Sequence, residues 1–421
     1  MIETLRNAWK IPELRKKLMF TALILLLYRV GNVIPVPYVN VDALKSMFDA
    51  VLGDTILGLY NAMSGSAFSN ATVLALSIQP YINASIIIQL LTVAIPALER
   101  MAKEEGEEGK KKINMITRMA TVGLGLIMGW AFYSMLNSYG ILTKTGFLSG
   151  LVIVLAFTAG SAVVMWLGEQ INEFGIGNGI SMILFANIIS GLPSGLSRML
   201  GMGWWAILVA VVMVALVLFI IFVNDAERRI PIQYAKRVVG RKIYGGQSTN
   251  LPIKVSMSGV MPVIFAQSIC SFPATICAFF GVTAQSGKWW FNVFFSNTSW
   301  FYALMYFIMI FFFGWFYAAI QYDPVEIANN LKKNGGFIPG FRPGKPTADF
   351  IAKVISKIVI FGSLYLGVVA LLPIICGNLI PGAGSLAIGG TSVIIVIGVA
   401  LETVKAIEAQ MLMRHYKGFL D

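Results

Sequence analysis

The stretch YALMYFIMIFFFGWFYAAI, residues 302–320, contains no charged side chain. A second uncharged run, AILVAVVMVALVLFIIFVN, occupies residues 206–224. A helix needs roughly 20 predominantly apolar residues to cross a bilayer, so each run predicts a transmembrane helix. Of the 421 residues, 57% are hydrophobic and 12% are charged, against about 25% charged in soluble domains. The sequence therefore predicts an all-α membrane protein with many spans.

Ten spans are predicted, and an even number places both termini on the same side of the membrane. They cover residues 18–36, 71–95, 115–136, 150–168, 180–196, 204–223, 254–281, 299–320, 352–373 and 388–407. With the N-terminus inside, 27 of the 32 Lys and Arg residues fall on the inner side. Cytoplasmic loops are enriched in these residues, so both termini are predicted to be cytoplasmic. The first span follows a basic stretch and is predicted to be retained as an anchor.

The apolar segment TILGLYNAMSGS, residues 55–66, is too short to cross the bilayer. It lies on the outer side between the first two spans, and Gly65 and Ser66 separate it from the second span, for which Asn70 is a candidate helix cap. Two interpretations stay open. The segment is either a short helix buried in a cavity that opens to the outside, or an interfacial helix lying on the membrane.

The second span contains SIQPYINASIIIQLLTVAIP, residues 77–96. Ile82 and Ile86 are four residues apart and therefore share one helix face. They are either packing residues or part of an apolar constriction that gates by dewetting. The polar residues of this span either bond to a neighbouring helix or border a seam that water or a polypeptide enters; they are Asn83, Ser85, Gln89 and Thr92.

The sequence predicts no catalytic residue, metal site or cofactor. The single histidine, His415, and three cysteines have no metal-ligand spacing, and neither a Walker phosphate loop nor HExxH is present. The glycine run GIGNGIS, residues 175–181, is predicted to be a turn between spans. Transporters usually keep ionisable groups at mid-membrane, whereas these span centres have almost none. A solute transporter and an insertase-like chaperone without a through-pore nevertheless remain alternatives.

Several long motifs in order resemble the SecY family, the central subunits of bacterial protein-export channels. They are GNVIPVP (31–37), ALSIQPYINASIIIQLL (75–91), WLGEQINEFGIGNGIS (166–181), YGGQSTNLPIKV (244–255), NLKKNGGFIPGFRPGKPT (330–347) and GGTSVIIVIGVALETVKAIEAQMLMRHYKGFL (389–420). The resemblance covers nearly the whole chain. It implies ten spans in two pseudo-symmetric halves, residues 1–200 and 201–421, around an hourglass pore.

The resemblance also assigns residues to the parts of such a channel. The implied pore ring consists of Ile82, Ile86, Leu184, Ile264 and Ile395. The implied plug is the segment near 55–68, with Leu59, Tyr60, Asn61, Ala62, Met63, Ser64 and Gly65. The implied lateral gate, between spans two and three on one side and seven and eight on the other, includes Gln89, Thr92, Gln267 and Phe272.

Two long inner loops, residues 225–253 and 321–350, are implied to dock the cytosolic partner. The basic residues concerned are Arg342, Lys345, Arg228, Arg229, Lys236, Arg237, Arg241 and Lys242. Such a surface attracts RNA phosphates or acidic protein patches. The partners implied are the motor ATPase SecA, the ribosome with its RNA, small SecE-like and SecG-like subunits, signal sequences and nascent chains, and membrane lipid. The implied function is translocation of unfolded secretory polypeptides across the bacterial plasma membrane, with lateral release of apolar segments.

Overall fold

The computed structural model describes most of the chain. The described residues are 2–48, 56–201, 204–234, 237–239, 242–244, 248–256, 259–279, 293–294, 299–379 and 384–417. Within these ranges the fold is overwhelmingly helical, with small β-sheets in the region that follows the helix ending at Asp225.

Fifteen helices and five strands are defined in the described ranges. The helices are α1 (Ile2–Lys10), α2 (Pro12–Gly31), α3 (Val41–Met47), α4 (Ile56–Met63), α5 (Gln79–Ala94), α6 (Pro96–Lys103), α7 (Gly106–Ser138), α8 (Phe147–Phe174), α9 (Gly179–Leu200), α10 (Trp205–Asp225), α11 (Met261–Phe279), α12 (Trp300–Gln321), α13 (Pro324–Lys333), α14 (Lys345–Leu379) and α15 (Gly384–Lys417). The strands are β1 (Glu227–Tyr234), β2 (Arg237–Val239), β3 (Lys242–Tyr244), β4 (Ser248–Lys254) and β5 (Gly336–Phe337).

Five helical segments of the described chain are long and apolar enough to cross a membrane. They are Gly106–Ser138, Phe147–Phe174, Ala206–Asp225, Trp300–Lys333 and Lys345–Leu372. A sixth arises if α5 and the first part of α6, which meet at a bend of 105°, are counted as one span. The protein is thus a multi-pass membrane protein, while the count of ten spans stays a prediction.

The second predicted span differs from expectation at its outer end. The helix begins at Gln79 rather than at residue 71, and the chain from Ser64 to Ile78 is a succession of turns. Pro80 lies in the first turn of α5, where a missing N–H costs nothing, instead of kinking a longer helix. The N-cap of α5 is Ile78 rather than Asn70, whose side-chain Nδ2 donates to the carbonyl of Ser66 at 2.7 Å. Non-helical backbone is tolerated at membrane depth only where protein surrounds it, and this segment is largely buried.

The motif at residues 31–37 holds this turn segment in place. Val36 N donates to the carbonyl of Ala71 and Val73 N donates to the carbonyl of Ile34, each at 2.9 Å. Three residues without glycine's freedom adopt a positive φ here, namely Ser66, Ala71 and Ser77. Such conformations cost on the order of 1 kcal/mol or more each and persist where the surroundings enforce them.

The described parts of the two long loops predicted on the inner side form one structure rather than two. Strand β1 pairs antiparallel with β4 on one side and with β5, from the second loop, on the other. Ile230 and Ile232 of β1 belong to a buried apolar cluster that also contains Leu331 of α13 and Ile351 of α14. The loops therefore share a small hydrophobic core beyond the helices.

The two ends of the described chain lie side by side. Thr4 Oγ1 of α1 donates to Glu408 Oε1 of α15 at 3.1 Å, and Lys17 Nζ of α2 donates to Gln410 Oε1 at 3.4 Å. Lys405 of α15 forms an ion pair with Asp225, at the end of α10, at 3.0 Å. The N-terminal helices, the last turns of α15 and the end of α10 thus meet at one end of the molecule.

Candidate functional site

The five side chains expected to form a pore ring lie in one buried hydrophobic cluster. Ile82 and Ile86 come from α5, and three other helices contribute one residue each: Leu184 from α9, Ile264 from α11 and Ile395 from α15. All five side chains are at most 2% exposed. The helices thus bring together residues that are more than 300 positions apart in sequence.

The short helix α4 is buried against this cluster. Leu57, Tyr60 and Met63 are buried, and Met63 belongs to the same hydrophobic cluster as the five ring candidates. Helix α4 contacts α9, α11 and α15, the three helices that carry Leu184, Ile264 and Ile395. This burial favours the helix in a cavity over the interfacial alternative. The side chain of Leu59 lies outside the described residues.

The plug candidates are also tied to their surroundings by hydrogen bonds. Tyr60 Oη donates to the carbonyl of Leu76 at 3.1 Å, and Asn61 Oδ1 accepts from the backbone N–H of Ser69 at 2.9 Å. Ser64 Oγ accepts from the N–H of Phe68 at 3.1 Å. These bonds join the helix to the turn segment that leads into α5. Ala62 is half-buried and packs at the edge of the cluster.

Amide side chains from three helices meet at Met63. Gln79 Nε2 of α5 and Gln267 Nε2 of α11 each donate to Met63 Sδ at 3.3 Å. Asn187 Nδ2 of α9 donates to the Met63 carbonyl at 2.8 Å and to Tyr28 Oη at 2.9 Å. A group of hydrogen bonds is therefore embedded in the hydrophobic cluster at the end of α4.

Gly65, two residues beyond Met63, has no room for a side chain. Its φ is +64°. A Cβ there would lie 2.8 Å from Arg29 Nη1 and 2.9 Å from Asn187 Oδ1. The guanidinium of Arg29 is itself bonded within the protein, because its Nη2 donates to the carbonyl of Ala186 at 3.1 Å. Gly65 thus permits the close approach of the chain after α4 to α2 and α9.

The four gate candidates lie on two helices, Gln89 and Thr92 on α5 and Gln267 and Phe272 on α11. Helix α11 contacts both α5 and α7. Gln89 bonds to Ser85 of its own helix, at 3.5 Å, and Thr92 Oγ1 donates to the carbonyl of Gln89 at 2.7 Å. Gln267 lies against Met63, as described above, and Phe272 is half-buried on α11. The gate assignment of these residues stays a prediction.

Four of the eight docking candidates have described side chains, and these four lie on the structure shared by the two loops. Arg342 and Lys345 are exposed, and the carbonyl of Arg342 accepts from Thr347 Oγ1 at 2.8 Å, which fixes the turn. Arg228 and Arg229 are exposed on β1, where Arg229 pairs with Glu227 at 2.6 Å. Lys236 and Arg241, together with the side chains of Arg237 and Lys242, lie outside the described residues.

Asn187 and Gln79 contact Met63, and Tyr28 accepts a hydrogen bond from Asn187, although the sequence assigns none of these three residues a role. Asn187 stands within the apolar run of α9, and its side chain is fully buried. A lone amide in an apolar span indicates a bonded neighbour, because an unpaired polar group is costly in lipid. The same reasoning that selected Gln89 would have selected Asn187.

The profile of one protein family, SecY, matches residues 72–404. The chain belongs to the SecY family. The protein translocase subunit SecY of Streptomyces scabiei is 43% identical to it, with all of both chains covered. The subunit of the same name from Corynebacterium glutamicum is 41% identical over 98% of this chain and 99% of its own.

Solved structures show the same fold for this SecY-family chain. A protein-conducting channel aligns over 94% of this chain and 92% of its own with a TM-score of 0.64 at 18% identity. A structure described by its SecY plug domain, which stabilises the closed state of that channel, aligns over the same shares with a TM-score of 0.63 at 17% identity. Sec61 in a canine ribosome–channel complex gives a TM-score of 0.60 at 16% identity, with 94% and 92% covered. The predicted fold class is confirmed.

Proposed function

We propose that this SecY-family chain is the protein-conducting channel of a translocase, through which unfolded secretory polypeptides cross the membrane. One observation carries the proposal: five apolar side chains from four helices converge in one buried cluster, with the end of α4 packed against them. An apolar constriction excludes ions by dewetting. When α4 leaves, the same ring fits around a translocating chain without binding any one sequence.

The curated relatives support this function, because each is named a translocase subunit. The chain covers 100% and 99% of the lengths of these two relatives, so it includes the parts that their function requires. Helix α4 then acts as the plug that closes the empty pore. Residues 1–200 and 201–421 are the two halves that surround the pore.

The contacts of α11 with α5 and α7 support a lateral exit between these helices. Separation of these helices opens the pore toward lipid, and Gln89, Thr92, Gln267 and Phe272 border the opening. Leu, Ile and Phe favour the bilayer core by about 0.3–0.6 kcal/mol each. Summed over roughly 20 residues, this preference decides between export and insertion for a signal sequence or nascent chain.

The driving force comes from a cytosolic partner that docks on the shared loop structure. Exposed Arg342, Lys345, Arg228 and Arg229 offer positive charge beyond the helices. Such charge suits ribosomal RNA phosphates or acidic patches of a motor ATPase such as SecA. Related folds have been captured with ribosomes, in the canine complex and in an idle yeast Ssh1 complex bound to the 80S ribosome. Small SecE-like and SecG-like subunits complete the translocase.

Both termini are cytoplasmic in this proposal, and the membrane is the bacterial plasma membrane. The contacts of α1 and α2 with the last turns of α15 place the two ends together. The N-terminal segment carries five basic residues, which favour the cytoplasmic side.

A photocrosslinker at Ile86 tests the function. We expect it to crosslink to a secretory chain arrested during translocation, because the chain must pass the ring. The same probe at Ile360, which is exposed on α14 and lies outside the cluster, serves as the control. Crosslinking at Ile360 but not at Ile86 would refute the route through the ring.

A further inference from the structure

The contacts of Met63 are unusual for a hydrophobic seal. Its thioether sulfur accepts from two amide donors, Gln79 and Gln267, while its carbonyl accepts from Asn187. Thioether sulfur is a weak acceptor, so two amides pointed at one sulfur are held there by geometry rather than by strong bonding. The three amides come from α5, α11 and α9, and Met63 is the last residue of α4.

The same site contains buried acceptors without partners. Among the described residues, Asn187 Oδ1, Gln267 Oε1 and Asn32 Oδ1 are buried and accept no hydrogen bond. Asn32 faces the plug as well, since its Nδ2 donates to the carbonyl of Ser64 at 3.4 Å. Unsatisfied acceptors of this kind are costly and call for an explanation. Their cost applies only while the site is dry.

We propose that Asn187, Gln79 and Gln267 form a polar latch that positions the plug through Met63, with Asn187 as the positioning residue. This inference rests on the proposed function, because it assumes that α4 seals the pore. The donors hold the plug in place when the pore is closed. Once the plug moves, water reaches the unpaired acceptors and stabilises the open state. The latch thus keeps the free energies of the closed and open channel close together. An entirely apolar contact surface for α4 would favour the closed channel alone.

Gly65 completes the latch. Its positive φ and the absence of a Cβ allow the end of α4 to approach α9, so that the Met63 carbonyl accepts from Asn187. An alanine at this position would both strain the backbone and collide with Arg29 and Asn187. Gly140 offers a matched control, since it has φ +66° but no other group within 4 Å of the place that a Cβ would occupy. The two substitutions therefore share the backbone strain and differ in the collision.

The first experiment compares Gly65→Ala with Gly140→Ala in the purified translocase. Two readouts are measured: ion conductance in planar bilayers without substrate, and hydrogen exchange of the plug peptide 56–68. We expect Gly65→Ala to raise both the conductance and the exchange rate by about tenfold or more, and Gly140→Ala to leave both unchanged. Equal effects of the two substitutions would overturn the latch.

The second experiment removes the acceptor without changing the volume. Met63→Leu leaves the amides of Gln79 and Gln267 unpaired, so the plug peptide should exchange about tenfold faster. Adding Gln79→Leu and Gln267→Leu removes the unpaired donors and should restore slow exchange. Met135→Leu, in a different apolar cluster, is the control. Rapid exchange in Met63→Leu without rescue by the two further changes would refute the polar latch.

The two readouts separate the latch from the function. Faster exchange of the plug peptide in Gly65→Ala with unchanged conductance would support the latch and overturn α4 as the seal. No change in exchange would overturn the latch, while the crosslink at Ile86 still tests the channel. Asn187→Asp replaces the amide donor by a carboxylate facing the Met63 carbonyl, and we expect it to increase exchange like Gly65→Ala. Exchange at the unsubstituted rate in Asn187→Asp would overturn Asn187 as the positioning residue.

Discussion

Replacement of Ile86 by alanine tests the seal directly. The Ile86 side chain is 2% exposed and packs in the cluster with the other ring candidates and Met63. Truncating a buried isoleucine costs about 2–5 kcal/mol. If this packing exists only in the closed channel, its loss destabilises the closed state by at least about 2 kcal/mol. The ratio of open to closed channels then rises about 30-fold, because each 1.4 kcal/mol changes an equilibrium constant tenfold.

The assay is ion conductance of the reconstituted translocase without substrate. Ile88→Ala is the matched control, because Ile88 is buried on the same helix but lies outside this cluster. Thermal unfolding of both variants reports any general loss of stability. We expect a leak in Ile86→Ala that exceeds the leak in Ile88→Ala by at least about tenfold. Equal leaks at similar stability would refute the reasoning that Ile86 belongs to a dewetted constriction.

Two further predictions concern docking and packing. Arg342→Glu should reduce translocation driven by the motor or the ribosome without lowering thermal stability, since the side chain is exposed. Lys333→Glu makes the same charge change on the exposed surface of α13 and is the control. An equal loss of transport in both variants would count against a specific docking site at Arg342. Gly160→Ala should lower stability by about 1–3 kcal/mol or more, because the new methyl group would collide with the carbonyl of Val73. Gly123→Ala, which lies inside α7 and meets nothing within 4 Å, should leave stability unchanged or raise it by up to about 1 kcal/mol in the same thermal scan.

The sequence predicts the long spans well and the turn segment poorly. Runs such as 206–224 are apolar over a full bilayer thickness, so few alternatives exist for them. Residues 71–78 are also largely apolar, but they form turns enclosed by protein. Hydropathy reports burial and does not distinguish a buried turn from a helix. Ala71 and Ser77 have a positive φ, which the identity of an alanine or a serine does not predict.

The loop sheet was missed for a different reason. Ile230 and Ile232 alternate with exposed residues along β1, which is a strand pattern, but the pattern is short. Its partner β5 consists of Gly336 and Phe337 and has almost no pattern of its own. Pairing between segments about 100 residues apart depends on how the intervening helices pack. A single sequence does not contain that information in readable form.

The ring candidates came from family resemblance, whereas the spacing of Ile82 and Ile86 alone predicted only a shared face. The structure places all five in one cluster, and their role as a pore ring stays a prediction. The polar contacts of Met63 could have been suspected, since Asn187 is an amide in an apolar run. Which residue an isolated amide contacts cannot be read from a pattern.

The pairing of β1 with β5 has a mechanical consequence. A partner that pushes on the turn at 342–347 acts on β5, and backbone hydrogen bonds carry the load to β1, which continues from α10. The shared apolar core around Ile232 and Ile351 resists shear between the loops. A force applied to either loop is therefore transmitted to α10 and α14 together, so a partner on the proposed docking surface would move both helices as one unit.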